Sequence, residues 1–113
     1  KSIMKLTVRF NNKENIIDDA LSEDVIEQLD AINSMNIEDY EILVEDVDES
    51  TLQIMNGGLF VGIPTDKQKI YCRYTNDVVD VDLLEEAIED FFDGDTDLSY
   101  IDWDHDLDDY VHM

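Results

Sequence analysis

The chain has 113 residues, of which 30 are acidic and 7 basic, for a formal net charge of -23. Such a surface repels DNA, RNA and anionic membranes, so none of these is expected to bind directly; a metal ion, a polyamine or a basic protein groove is what it attracts. High charge produces disorder only together with low hydrophobicity, and 43% of these residues are hydrophobic. The expectation is one folded acidic α+β domain over residues 1–113.

Taken in chain order, "IMKLTVRF" alternates, with Met4, Leu6, Val8 and Phe10 on one side and Lys5, Thr7 and Arg9 on the other. Period-two alternation predicts a half-buried strand. "NNKEN" reads as a turn. Residues 16–35 then carry Ile17, Leu21, Val25 (or Ile26), Leu29 and Ile32 at helical spacing, predicting a helix whose other face is acidic. Ser22 offers an alternative start for a shorter helix.

"YEILVEDV" alternates again and predicts a strand. "TLQIM" and "GLFVGI" flank Asn56-Gly57-Gly58, a hairpin signal. Pro64-Thr65-Asp66 supplies a turn before "KIYCRYT", a further strand. In "VDLLEEAIEDFFDG" the stripe Leu84, Ala87, Ile88, Phe91 and Phe92 predicts a helix, with Asp82 as N-cap and Gly94 as terminator. Residues 95–113 hold too many large apolar groups for a solvated tail; Trp103, Leu107, Tyr110 and Val111 fall at helical spacing and are expected to dock on the core. The expected fold is a mostly antiparallel sheet of about four strands with two or three acidic amphipathic helices.

Cys72 is the only cysteine, so no intrachain disulfide forms, which suits a reducing cytoplasm. No apolar run approaches the ~20 residues that span a bilayer, and there is no signal-peptide pattern. Since the chain opens on Lys1, Met4 is the expected native start.

The bases are segregated. Lys1, Lys5, Arg9 and Lys13 stand at the start and Lys67, Lys69 and Arg73 in one later segment; residues 14–66 and 74–113 each hold fifteen acids and no base. Calcium is one explanation for "DGDTDLSYIDWD". Counted from Asp93, however, the sixth position of an EF-hand loop is Leu98 instead of glycine; counted from Asp102 it is Leu107. His105 and His112 alone do not make a transition-metal site, which needs three or four converging ligands. No acid–base pair, phosphate-binding glycine loop or histidine beside Cys72 points to catalysis, so no cofactor, metal or enzymatic activity is expected. Cys72 reads as a small core residue.

The geometry of the acids offers another explanation. On a helix, acids three or four residues apart lie roughly 5–6 Å apart; on a strand, alternate residues such as Asp102, Asp104, Asp106 and Asp108 lie about 6.5–7 Å apart. Either pitch is comparable to that of neighbouring phosphates, so a rigid array could enter a groove built to neutralise a nucleic-acid backbone. The plain alternative is a solvated surface, but solubility needs a net charge of only ~2–8 in a small domain. Halophilic adaptation fits poorly with so much isoleucine and asparagine.

In size, charge, lysine and arginine depletion, and acidic helices expected on a compact α+β core, the chain resembles the small acidic DNA-mimic inhibitor proteins of phages and mobile elements. These include inhibitors of restriction enzymes, of CRISPR nucleases and of uracil-DNA glycosylase. The resemblance is one of class, without a shared motif, and carries no residue roles across. It implies a stoichiometric inhibitor occupying the basic nucleic-acid-binding groove of a host defence or DNA-processing protein, in the host cytoplasm if phage-encoded. An immunity protein or antitoxin neutralising a basic toxin such as a nuclease is the alternative. The candidate partner-binding residues are Glu85, Glu86, Glu89, Asp90, Asp93, Asp95, Asp97, Asp102, Asp104, Asp106, Asp108 and Asp109. Glu41, Glu45, Asp46, Asp48 and Glu49 form a rival patch.

Overall fold

A computed structural model of the protein describes the backbone of residues 3–64 and 69–112, and the side chains of these except 69–71 and 105–112. Strand β1 (Met4–Phe10) forms where alternation placed it, burying Met4, Leu6 and Val8. Asn11 and Asn12 follow with φ of 52° and 61°. Two consecutive left-handed residues make the tight hairpin turn whose twist suits antiparallel strands, and asparagine tolerates that conformation.

The turn is therefore shorter than "NNKEN", and the chain returns as strand β2 (Lys13–Ala20), paired antiparallel with β1. This overturns the long helix expected over residues 16–35. Ile16 stays 47% exposed while Ile17 packs on the core, so the neighbouring isoleucines face opposite sides, as in a strand. A register shift near Asp19, which has φ 54°, then breaks the alternation that would have revealed it.

Helix α1 (Ser22–Ser34) begins at the alternative start and buries Val25, Leu29 and Ile32. Its first turn is closed by Asp24, whose carboxylate accepts the Leu21 backbone N–H at 2.8 Å. Acids at a helix N-terminus also meet its positive dipole end. Strands β3 (Tyr40–Asp46), β4 (Thr51–Met55), β5 (Gly58–Pro64) and β6 (Lys69–Thr75) then run as an antiparallel meander. The β4–β5 turn uses Asn56 at φ 52° and Gly57 at φ 89°, as its sequence signals. Residues 65–68, which hold most of the turn expected at Pro64-Thr65-Asp66, lie outside the described residues.

Helix α2 (Val81–Phe92) carries the expected stripe, with Leu84, Ala87, Ile88 and Phe91 buried. Its N-cap is Asp80 rather than Asp82. Gly94, at φ 96°, follows the last turn, and its N–H donates to Phe91 O at 3.0 Å. The C-terminal segment, whose apolar residues fall at helical spacing and whose alternate aspartates also fit a strand, forms strand β7 (His105–His112). It pairs antiparallel with β6 and supplies partners for backbone groups that would otherwise be left at the sheet edge.

The architecture is α+β: one antiparallel sheet, strand order β2-β1-β3-β4-β5-β6-β7, with two helices. The expected sheet was too small because β2 was read as part of a helix and the C-terminal segment was not counted among the strands. Strand β1 lies between β2 and β3, so α1 crosses over it; α2 connects the neighbours β6 and β7. The helices touch each other, and their buried residues join Leu6, Ile42, Val44, Leu52, Ile54 and Val61 of the sheet in one core cluster. Both helices thus cover the same sheet face. The opposite face carries Thr7, Leu43, Gln53, Phe60 and Tyr74, aligned through the strand registers, with Arg9 beside Glu41 one row along.

Between α2 and β7 the chain has little regular structure but is tightly anchored. Leu98 is fully buried and Ile101 is 5% exposed. The Trp103 indole N–H donates to Leu98 O at 3.0 Å. Leu98 holds φ 44°, an uncommon conformation for a branched residue, sustained here by burial. Truncating Leu98 to Ala should lower the unfolding free energy by about 2–5 kcal/mol, the range for a buried leucine, read from urea denaturation. A loss well under 1 kcal/mol would show that this segment is not part of the cooperative core.

Candidate acidic docking surface

Because both helices bury one face on the same core, their opposite faces look away from the sheet together. On α2 these positions are Asp82, Glu86 and Glu89, exposed, with Glu85 and Asp90 half-buried. Asp93 continues the row, since residues spaced by three and four share a helix face. On α1 they are Glu23, Glu27 and Asp30, all exposed. Neither helix contains a base. Among the described residues no ion pair engages an acid of α1 or α2: the pairs found are Arg9–Glu14, Arg9–Glu41 and Arg73–Asp97.

The expected acids divide into three groups. Glu85, Glu86, Glu89, Asp90 and Asp93 lie on or just after α2, and the exposed Asp95 and Asp102 continue into the anchored segment. Asp97 and Asp104, although exposed, are committed to holding the fold. The buried Arg73 guanidinium donates to the Asp97 backbone carbonyl and lies 3.5 Å from its carboxylate. The Asp104 carboxylate accepts from Asn76 N–H at 2.9 Å and from the Thr75 hydroxyl at 3.2 Å. Asp106, Asp108 and Asp109 are on β7, where side chains lie outside the described residues, as do those of His105 and His112.

Two acids within the array also have local work. Asp95 accepts the Asp97 N–H at 2.9 Å, forming an Asx turn. Asp90 accepts the Tyr100 hydroxyl at 2.7 Å, tying the segment to α2.

What the sequence reading omitted from the site is α1. Glu23, Glu27 and Asp30 were legible as an acidic helix face, but only the contact between helices far apart in sequence brings them beside α2. The rival patch does not form an equivalent array. Glu41 accepts from Arg9 at 2.7 Å and from the Gln53 amide on the open sheet face. Asp46 and Asp48 accept Val47 N–H and Ser50 N–H, which builds the β3–β4 turn.

Among the described residues no three His, Cys, Asp or Glu side chains converge as metal ligands. The objection to calcium at Leu98 needs revision, since Leu98 reaches positive φ without being glycine. The obstacle in this structure is Arg73, whose guanidinium stands against Asp97, the fifth position of that loop. Among the described residues no helix is long and apolar enough to cross a membrane.

The Tyr100 phenol is pushed well above its ordinary value, first by burial and then by its hydrogen bond to Asp90 and the nearby charges of Glu86 and Asp95. A raised folded-state value means that this contribution to stability is fully present below the phenol's unfolded pKa of about 10 and is lost as pH rises through the folded value. In an alkaline titration followed by phenolate absorbance, Tyr100→Phe should remove one step from the late-ionising tyrosines. An unchanged late amplitude would show that Tyr100 is not held by Asp90.

Comparison of the chain with family models, curated proteins and solved structures found no significant match.

Proposed function

We propose that the protein is a DNA-mimic inhibitor that occupies the basic nucleic-acid-binding groove of a host defence or DNA-processing protein. One observation carries the reading: two touching helices present acidic faces on the same side of the molecule, with no base in either helix. Rows of carboxylates at roughly 5–6 Å intervals run along each helix. Packed helices have axes about 8–10 Å apart, between the ~6 Å and ~12 Å widths of the two grooves of B-form DNA. Lysines and arginines arranged to neutralise two phosphate rows would meet two rows of comparable pitch and separation.

The sheet and shared core supply what a mimic needs besides charge, which is rigidity. A flexible acidic tail must lose conformational entropy to match a groove. Here the carboxylates of α1 and α2 stand on helices already held by a packed core, so much of that ordering is complete before binding. No chemical step is involved: inhibition follows from occupancy, and its extent follows the ratio of inhibitor to target.

The test is competition. A partner captured from host lysate at low salt should be displaced by duplex DNA and released by a salt gradient, because carboxylates that replace phosphates are screened in the same way. The purified protein itself should bind no DNA. Saturable binding of duplex DNA to the protein, or a captured partner that neither DNA nor salt displaces, would contradict the proposal.

A further inference from the structure

The face of the sheet turned away from the helices contrasts with the rest of the molecule. On β4–β6 its positions run Thr51, Gln53, Met55, Phe60, Cys72 and Tyr74, with Gly58 and Gly62 between them, and none is charged. In a chain of which 33% is charged, this is a patch from which acids have been withheld across three adjacent strands. It is also apolar, and open around Met55, Phe60 and Tyr74, whereas Cys72, Gly58 and Gly62 are buried. Met55 is 51% exposed, Phe60 and Tyr74 are half-buried, and between them lies a depression of about 540 Å³. Next to it, β3 and β1 carry Leu43 among charges of both signs, where Lys5 lies beside Glu45 and Arg9 beside Glu41.

We infer that this face is where two copies of the chain associate, sheet against sheet. Charge and size select a second copy as the occupant. A basic partner is drawn to the helix layer, whereas a body carrying -23 can approach this chain closely only where acids are missing or balanced. The strip of mixed sign is suited to isologous contact, in which a two-fold axis sets a base of one copy against an acid of the other. Seven strands about 4.8 Å apart, each about 20 Å long, present a face of roughly 600–700 Å². A standard stable interface takes about 600–1,000 Å² from each partner, so the face lies at the low end of that range and nearly all of it is needed.

Most of the repulsion that would oppose such a pair lies on the far sides, although on the face itself Glu14, Glu41 and Glu45 outnumber Lys5 and Arg9 by one. Packed sheets sit about 10 Å apart, and each helix layer adds a similar thickness beyond its own sheet. The two acidic layers therefore end up about 40 Å from one another, several times the Debye length of about 8 Å at physiological salt. The dimer would present an acidic helix layer on each outer side. This inference does not depend on what those layers bind.

The test is mass in solution, by sedimentation equilibrium over a concentration series at low and physiological salt. The expected result is twice the mass of one chain, with association strengthened as salt rises, the opposite of the trend expected for a basic partner. Met55→Glu and Phe60→Glu should each weaken association by about tenfold or more. Asn33→Asp, which adds the same charge on α1, should leave it unchanged. Met55 is exposed enough for its variant to fold, and circular dichroism with a melting curve checks this. A monomer at every concentration and salt overturns the inference, as does a dimer indifferent to both glutamates. So does a monomer whose β4–β6 face binds an apolar dye with Met55 and Phe60 as determinants, since that marks a small-ligand groove instead.

Discussion

Every part of this fold is held against the mutual repulsion of its carboxylates, and what holds it is the apolar layer between one sheet and two helices. Met4, Leu6, Ile42, Val44, Leu52 and Ile54 from the sheet meet Val25, Leu29, Ile32, Leu84, Ile88 and Phe91 from the helices in a single cluster. Burial of each such side chain contributes about 1.5–3 kcal/mol, while a solvated pair of like charges costs much less, because water and salt screen it. The balance favours folding only while the acids stay in water. That condition forces the layered arrangement: apolar residues between sheet and helices, acids on the outer helix faces, in turns and along the exposed β2 strand.

The same constraint gives the segment between α2 and β7 its form. It is too acidic to be buried and too apolar to float. Leu98 and Ile101 enter the core, while Asp93, Asp95 and Asp102 remain in solvent. Arg73, a base on the helix-covered side of the sheet, holds the Asp97 carbonyl and carboxylate at the segment's midpoint. What results is a fixed acidic ledge continuous with α2. Rigidity and charge density, which oppose each other in an acidic chain, coexist because a few apolar anchors are threaded among the aspartates.

Much of this was legible in the sequence, for local reasons. Alternation located β1 and the β3–β6 meander, Asn56-Gly57 located a hairpin, and the Leu84–Phe91 stripe located α2. What was missed depends on long-range partners or on broken periods. Strand β2 hides behind adjacent isoleucines and a register shift at Asp19, so its apolar residues joined those of α1 in a false helical repeat. Strand β7 is rich in aspartate, which has low strand propensity, and its role as the strand next to β6 is fixed by pairing across the sheet. The acids were all visible, but their duties were not. Asp97 and Asp104 looked as free as Glu86 until Arg73, Thr75 and Asn76 were brought to them, and α1 joined the surface only through its contact with α2.

The most direct measurement compares two sets of charge reversals for their effect on affinity for the captured partner. The first set reverses Glu27, Asp30, Glu86 and Glu89 across the two helix faces; the second reverses Glu14, Asp18, Glu45 and Glu49 on the sheet and its turns. One exposed ion pair is worth ~0–1 kcal/mol, so a single reversal decides little and four together decide the matter. An array that acts as a phosphate mimic predicts that the helix set weakens binding by about tenfold or more and flattens its salt dependence, with melting temperature unchanged or raised. The sheet set should leave affinity nearly as it was. Binding that survives the helix reversals and fails with the sheet reversals would contradict the account.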